Sequence, residues 1–354
     1  MLNNAIQAIE QVGIEKVFLL LMAPMVLLLP FGPLVKWQRD QVGMPLRLLL
    51  VNISLVALCL AMAVAALCYG TLQLSLEQVF AALSGEAPKN LVTVVTQWRL
   101  PRIAMALLLG GALGMSGAIF QSIIRNPLGS PDVIGFNMGA YTGALIAITL
   151  FNGGYYYIAG GALAGGILAA LAIYLLAWRQ GIAGFRLIIV GIAISAVLVS
   201  TNTWLIITAS LERAMDAAMW QAGSLNGMTW QKAQPATAFI VLAAAAALLM
   251  GKRLQLLEMG DDTARALGVN AEGSRLWLML FGVTLTAAVT ATAGPISFIA
   301  LAAPQIARRL AGQSSVTLTS SALMGAALLL SADVVSQHLF APIQLPVGVV
   351  TVCI

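Results

Sequence analysis

The chain has 354 residues, of which 60% are hydrophobic and 9% charged, with a formal net charge of +5 and a mean hydropathy of +0.94. This composition excludes a soluble globular domain, and the apolar residues fall in continuous runs of span length, which selects membrane helices over alternating strands. The positive balance does not mark a nucleic-acid binder, because most Lys and Arg residues stand singly or in pairs at span ends, where membrane topology places them.

Residues 1–47 read as an N-terminal extension. Within it, 17–35 is a candidate extra membrane segment, although Pro24, Pro30 and Pro33 disfavour a regular helix there, and no small-residue cleavage site follows it. A membrane domain is expected over 48–354, with uncharged intervals at about 48–70, 103–124, 133–151, 156–178, 187–208, 235–251, 276–294 and 318–338. In the first of these, Cys59 and Cys68 lie on opposite helix faces, about 13 Å apart in rise, and cannot bond to each other. Cys353 has no evident partner.

The interval from Arg102 to Arg125 holds 22 uncharged residues. Along it Gly110, Gly114, Gly117 and Gln121 fall within roughly 40° of one another on a helix, a small-residue face that predicts close helix packing. Arg125, Asn126, Pro127 and Pro131 in RNPLGSPDVIG then read as a tight inner turn, since residues before proline leave helical geometry and Asn126 accepts local backbone bonds. Next, 46 uncharged residues between Asp132 and Arg179, with Asn152-Gly153-Gly154 near the middle, predict a helical hairpin. The 32 residues between Arg275 and Arg308, interrupted by Gly294-Pro295, predict one full helix and a half-helix near 298–307.

Counting Lys and Arg on alternate connections gives twelve on one side and five on the other, plus Lys16 if 17–35 crosses. The richer side is expected to be cytoplasmic. Trp98, Trp178 and Trp277 at span ends suit interfacial anchors. Two substantial loops are expected outside, 71–102 and 209–234, and one inside, 252–275. In the inner one Gly260 breaks the preceding helix, Asp261 or Asp262 is placed to cap a short new helix through Ala264 and Leu267, and Gly268 ends it. This reads either as a solvated connector or as a docking helix for a cytoplasmic partner. Arg99 and Arg102 stand on the side that basic residues avoid, so they are candidates to pair with carboxylates of an external partner, against lipid-phosphate anchoring. Asp333 is an acid in an apolar span near its outer end, and His338 has no ligand cluster around it. Gly251-Lys252 lacks the rest of a phosphate-binding loop, which excludes ATP binding of that kind.

RLPR at 99–102, GALGMSGAIFQ at 111–121, RNPLGSPDVIGF at 125–136, GDDTARALG at 260–268, AGPISFIALAAPQIARRLAG at 293–312, and ADVV with PIQLPVGVVT at 332–351 together resemble the iron–siderophore and vitamin B12 permease family. The wording is most similar to ferric-enterobactin permeases. The resemblance implies an all-α, polytopic helical membrane protein of the large, about ten-helix, ABC importer type. It implies a non-enzymatic subunit with no cofactor and no metal site, in the bacterial inner membrane. Its partners would be a second permease subunit in a hetero- or homodimer, two cytoplasmic ATPase subunits, a periplasmic siderophore-binding protein and the lipid bilayer. By position, Arg99 and Arg102 would meet the binding protein. Gly260, Asp261, Asp262, Ala264, Leu267 and Gly268 would form the ATPase coupling helix, and the helix at 187–208 would line the pathway with the final helix.

Three departures from the family pattern stand out. Gln337 occupies the position of a later outward arginine, the expected final helix after VVT is replaced by Val352-Cys353-Ile354, and residues 1–44 extend beyond the usual start. An ion-coupled secondary transporter, or a truncated permease that does not transport, are the rival readings. The first leaves the inner docking helix unexplained.

Overall fold

The computed structural model describes residues 44–70, 72–151, 154–178, 184–313, 315–340 and 343–353, and the candidate segment 17–35 lies outside them. Among the described residues every regular element is helical, and seven helices are long and apolar enough to cross a membrane. The first is α1 (Met44–Cys68), followed on the outer side by α2 (Leu76–Ser84) and α3 (Lys89–Thr93). The chain then passes through a π segment, Val94–Arg99, directly into α4 (Leu100–Ile124).

The 36 residues from Lys89 to Ile124 therefore form one rod, about 54 Å long at 1.5 Å per residue, well beyond a bilayer core of about 30 Å. The expected outer loop at 71–102 is instead largely helical, and Arg99 and Arg102 sit inside a helix rather than ahead of one. Pro101 explains the local widening. It has no N–H to return to the preceding turn, and the Leu100 N–H just before it reaches back five residues to the Val95 carbonyl.

On the inner side a single turn, α5 (Pro131–Ile134), leads to the hairpin of α6 (Phe136–Thr149) and α7 (Tyr155–Ala177). Then come α8 (Gly184–Thr208), the outer α9 (Leu211–Gln221), α10 (Trp230–Leu249), the inner α11 (Gly251–Glu258) and α12 (Asp261–Ala266), and α13 (Ala271–Ala293). The expected half-helix is α14 (Ile299–Ala311), and α15 (Leu318–His338) and α16 (Val347–Cys353) complete the order.

The core is built on α4, α13 and α15: 78%, 72% and 72% of the apolar 18-residue stretch in each span is buried, against 17% in α1 and 11% in α8. Backbone proximity sets this core. A Cβ at Gly110 would collide with the Gly325 carbonyl, and one at Gly114 with the Ser321 carbonyl, so α4 and α15 touch main chain to main chain. The hairpin repeats the device, with Gly143 against Gly161 and Gly139 against Gly165.

Between α13 and α14 the chain turns through Gly294 at φ 78° and Phe298 at φ 70°. The outer connection seals this break: the Ser224 N–H donates to the Ala293 carbonyl at 2.7 Å, and the Gly348 N–H of α16 donates to the Gly223 carbonyl at 3.0 Å.

Candidate functional site

The motif residues gather along α4, at its outer end, its middle and its inner end. At the outer end Arg99 donates from Nη1 to the Leu67 carbonyl and from Nη2 to the Leu72 carbonyl, both at 2.5 Å, which ties the rod to the end of α1. Arg102 lies one turn deeper. Its Nε and Nη2 hold both oxygens of Asp333 at 2.9–3.1 Å, and its Nη1 donates to Gln344 Oε1 at 3.2 Å. The Asp333 side chain is 0% exposed. Gln337 adds a donor to Asp333 Oδ2 at 2.8 Å. Sequence reading leaves both arginines free for an external partner, whereas the fold supplies each with an internal one.

In the middle, Gly110, Gly114 and Gly117 face α15 and α14, and a Cβ at Gly117 would meet the Ala300 carbonyl. One turn on, Gln121 donates to the Leu301 carbonyl at 3.0 Å and accepts from Gln305 Nε2 at 2.6 Å. A ladder of buried polar side chains, which sequence reading missed, crosses the same region. Ser116 meets Thr286 at 2.7 Å, Thr290 donates to Asn137 Oδ1 at 3.2 Å, and Asn137 donates to Asp132 at 2.5 Å. Single polar residues in apolar helices are the one signal that could have found it, because each needs a partner in the membrane.

At the inner end Arg125 closes α4 in a left-handed conformation at φ 55°. In the following turn Asn126 Oδ1 accepts from the Leu128 N–H at 2.9 Å beside Pro127. Ser130 caps α5, and Pro131 fills its first helical position. Asp132 reaches from this turn to the backbone N–H of Phe298 at the start of α14; removal from water pushes its carboxyl up to about 6 despite the N–H donors from Phe298 and Asn137.

The inner helix α12 begins at Gly260, φ 121°, and no side chain caps it. The expected capping role of Asp261 or Asp262 is therefore corrected. Asp261 is drawn away by stronger partners: Arg275 Nη2 binds both of its oxygens at 2.7 and 2.9 Å, and Arg125 pairs with it as well. Burial alone would raise the Asp261 carboxyl, but Arg275 and Arg125 outweigh it and hold the group below the usual carboxylate range. Asp262 is fully exposed and, among the described residues, pairs with Arg265 alone, at 3.8 Å. Arg125 also donates from Nε to the Leu257 carbonyl at 3.1 Å, and Ser122 donates to Glu258 at 2.5 Å. The short helix is thus bolted to α4 and α13. Ala264 packs inward at 0% exposure, while Leu267 remains 60% and Met259 67% exposed. Gly268, at φ 80°, turns the chain out of the helix.

Among the described residues no group of three or more His, Cys, Asp or Glu side chains could hold a metal ion. An all-helical, multi-pass membrane protein with a half-helix in its core and a braced inner helix presenting apolar side chains has the build of a transport permease. The model of the FecCD transport family matches residues 56–354, and the chain belongs to that family. It is 58% identical over 306 residues to the ferric enterobactin transport system permease protein FepG of Escherichia coli strain K12, covering 86% of this chain and 93% of that one. It is 34% identical to the achromobactin transport system permease protein CbrC of Dickeya dadantii strain 3937, covering 88% and 91%. A solved inward-facing structure of a metal-chelate type ABC transporter superposes with a TM-score of 0.78 at 27% identity, covering 86% of this chain and 95% of that one.

Proposed function

We propose that this permease carries ferric enterobactin across the bacterial inner membrane as one of two membrane subunits of a binding-protein-dependent ABC importer. The observation that carries the substrate reading is the 58% identity to a ferric enterobactin permease across nearly the whole of that protein. In this reading a periplasmic siderophore-binding protein docks on the outer end that holds Arg99 and Arg102, and ATP is hydrolysed on two separate cytoplasmic subunits.

One of the two ATPases would receive the exposed Leu267 that follows α12, whose orientation Asp261 fixes through Arg275 and Arg125. Closure of the ATPase pair would push α12, and the push would enter α4 and α13 through these ion pairs and the Ser122–Glu258 bond. The two permease halves would then rock between outward and inward openings. No catalysis is assigned to this chain. A bulky chelate needs a passage that binds it weakly, and α8 offers one: its exposed Ser200 and Thr201 bond back to the Ala196 and Val197 carbonyls, leaving few groups to grip a ligand.

The test is growth with ferric enterobactin as sole iron source in a strain lacking this chain. Loss of growth, restored by the gene, is expected; normal uptake without it would reject the substrate. Purification of the chain from the complemented strain discriminates the ion-coupled alternative, because an importer brings an ATPase subunit with it.

A further inference from the structure

The two outer arginines differ in what cancels their charge. Arg99 bonds to the carbonyls of Leu67 and Leu72, which fix its position but are neutral, and among the described residues no carboxylate pairs with it. Its positive charge is therefore available to an approaching acidic surface. Arg102 is spent. A bidentate pair with Asp333 cancels its charge, its third nitrogen holds Gln344, and its side chain is only 12% exposed.

Drawing Arg102 outward to an external carboxylate would leave Asp333, with no exposed surface, held by Gln337 and its own helix alone. A buried acid without its cation is costly, more so in a membrane helix. The Gln344 contact adds a second consequence. It pins residues 343–346, whose Leu345 N–H bonds to the Ser336 carbonyl at 3.1 Å, and these residues lead into α16.

We propose that Arg99 alone makes the cationic contact with an acidic docking partner, whereas Arg102 is a positioning residue that locks α15 and the 343–346 connection onto α4. This rests on the docking reading above for its Arg99 half. The Arg102 half is a statement about the permease itself.

The experiment uses the importer complex in lipid nanodiscs, with thermal melting and binding of the ferric-enterobactin-binding protein as readouts. Arg99→Gln keeps the melting temperature and weakens binding on the order of tenfold at low salt, with the difference shrinking as salt rises. Arg102→Gln leaves Asp333 as an orphaned buried acid, which lowers the melting temperature and, by loosening α15, the affinity. The double variant Arg102→Gln with Asp333→Asn removes the orphaned acid and regains both. A double variant that melts normally but still binds weakly would place Arg102 on the partner and overturn its positioning role. So would an Arg102→Gln variant with unchanged melting and weak binding. Arg99→Gln that binds like the parent overturns the Arg99 half. If the parent complex binds no siderophore-binding protein, the importer reading fails, and the melting temperatures alone still decide the role of Arg102.

Discussion

Asp261 shows how much one carboxylate can organise. Among the described residues it is the one group that both Arg125, closing α4, and Arg275, in the first turns of α13, hold in common, so α12 cannot shift without moving both core helices. Asp261→Asn keeps the size and one acceptor but removes the charge. Since the carboxylate is about a third exposed, 31%, solvent screening limits the expected loss to about 1 kcal/mol. The functional loss is expected to be larger, because a loosened helix transmits less displacement: ATP hydrolysis continues while transport per ATP falls, measured in proteoliposomes. The pH dependence has a definite sign. Arg275 and Arg125 overcome burial and hold the carboxyl below its ordinary value, so its contribution is complete above about pH 4. It is lost only as the pH falls through the depressed value. Melting temperatures should thus be equally pH-independent from 5 to 8 in parent and variant as far as this group is concerned, and only the parent should lose this contribution in acid. Equal transport coupling in the two proteins would remove Asp261 from the transmission route.

At the scale of elements, the α4–α15 crossing is the joint that fixes the core, and its requirement is geometric rather than hydrophobic. Gly114 lies where a Cβ would enter the Ser321 carbonyl and approach Gly325, whereas the neighbouring Gly111 would place a Cβ 3.5 Å from the Ala322 oxygen, an ordinary contact. Gly114→Ala is therefore expected to cost about 1–3 kcal/mol by forcing two backbones apart, and Gly111→Ala almost nothing. Melting of the two purified variants checks this, and equal melting temperatures would show that the helices separate at no cost. The stripe on α4 is readable because its period is local, four positions on one helix face. The matching Gly325 is not, since one glycine in α15 carries no period of its own. The same limit applies to the ion pairs: Arg102 and Asp333 are 231 positions apart, and sequence shows each charge as an anomaly without showing that they answer each other. Asp261 misled for a related reason. An acid after a glycine is a good cap signal, and only the arrival of Arg125 and Arg275 in space explains why it does something else.

For the molecule as a whole, the uneven burial of the spans indicates what is missing around it. With 11% of the apolar 18-residue stretch of α8 buried against 78% of that in the α4 rod, α8 lies at the rim, yet it is no ordinary lipid-facing helix. Ser200 and Thr201 are exposed along it, beside Trp204 at 63% and Val197 at 63% exposure. Hydroxyls on an exposed helix face suit water or a partner helix better than acyl chains, even when they bond to their own backbone. If this face borders a passage shared with a second permease subunit, it must be wet in at least one state of the transport cycle. A cysteine at Ser200, in a chain whose Cys59, Cys68 and Cys353 are replaced by serine, should then react with a membrane-impermeant maleimide in the assembled importer. A cysteine at Leu242 of α10, 72% exposed on an apolar face, should not. Ferric enterobactin supplied on its binding protein should slow the reaction at position 200 without affecting position 242, since only a site on the passage can be shielded by cargo. Labelling that is equal at the two positions, or absent at 200 in every nucleotide state, would move the passage away from α8. It would leave that helix's hydroxyls to be explained by packing against the second subunit.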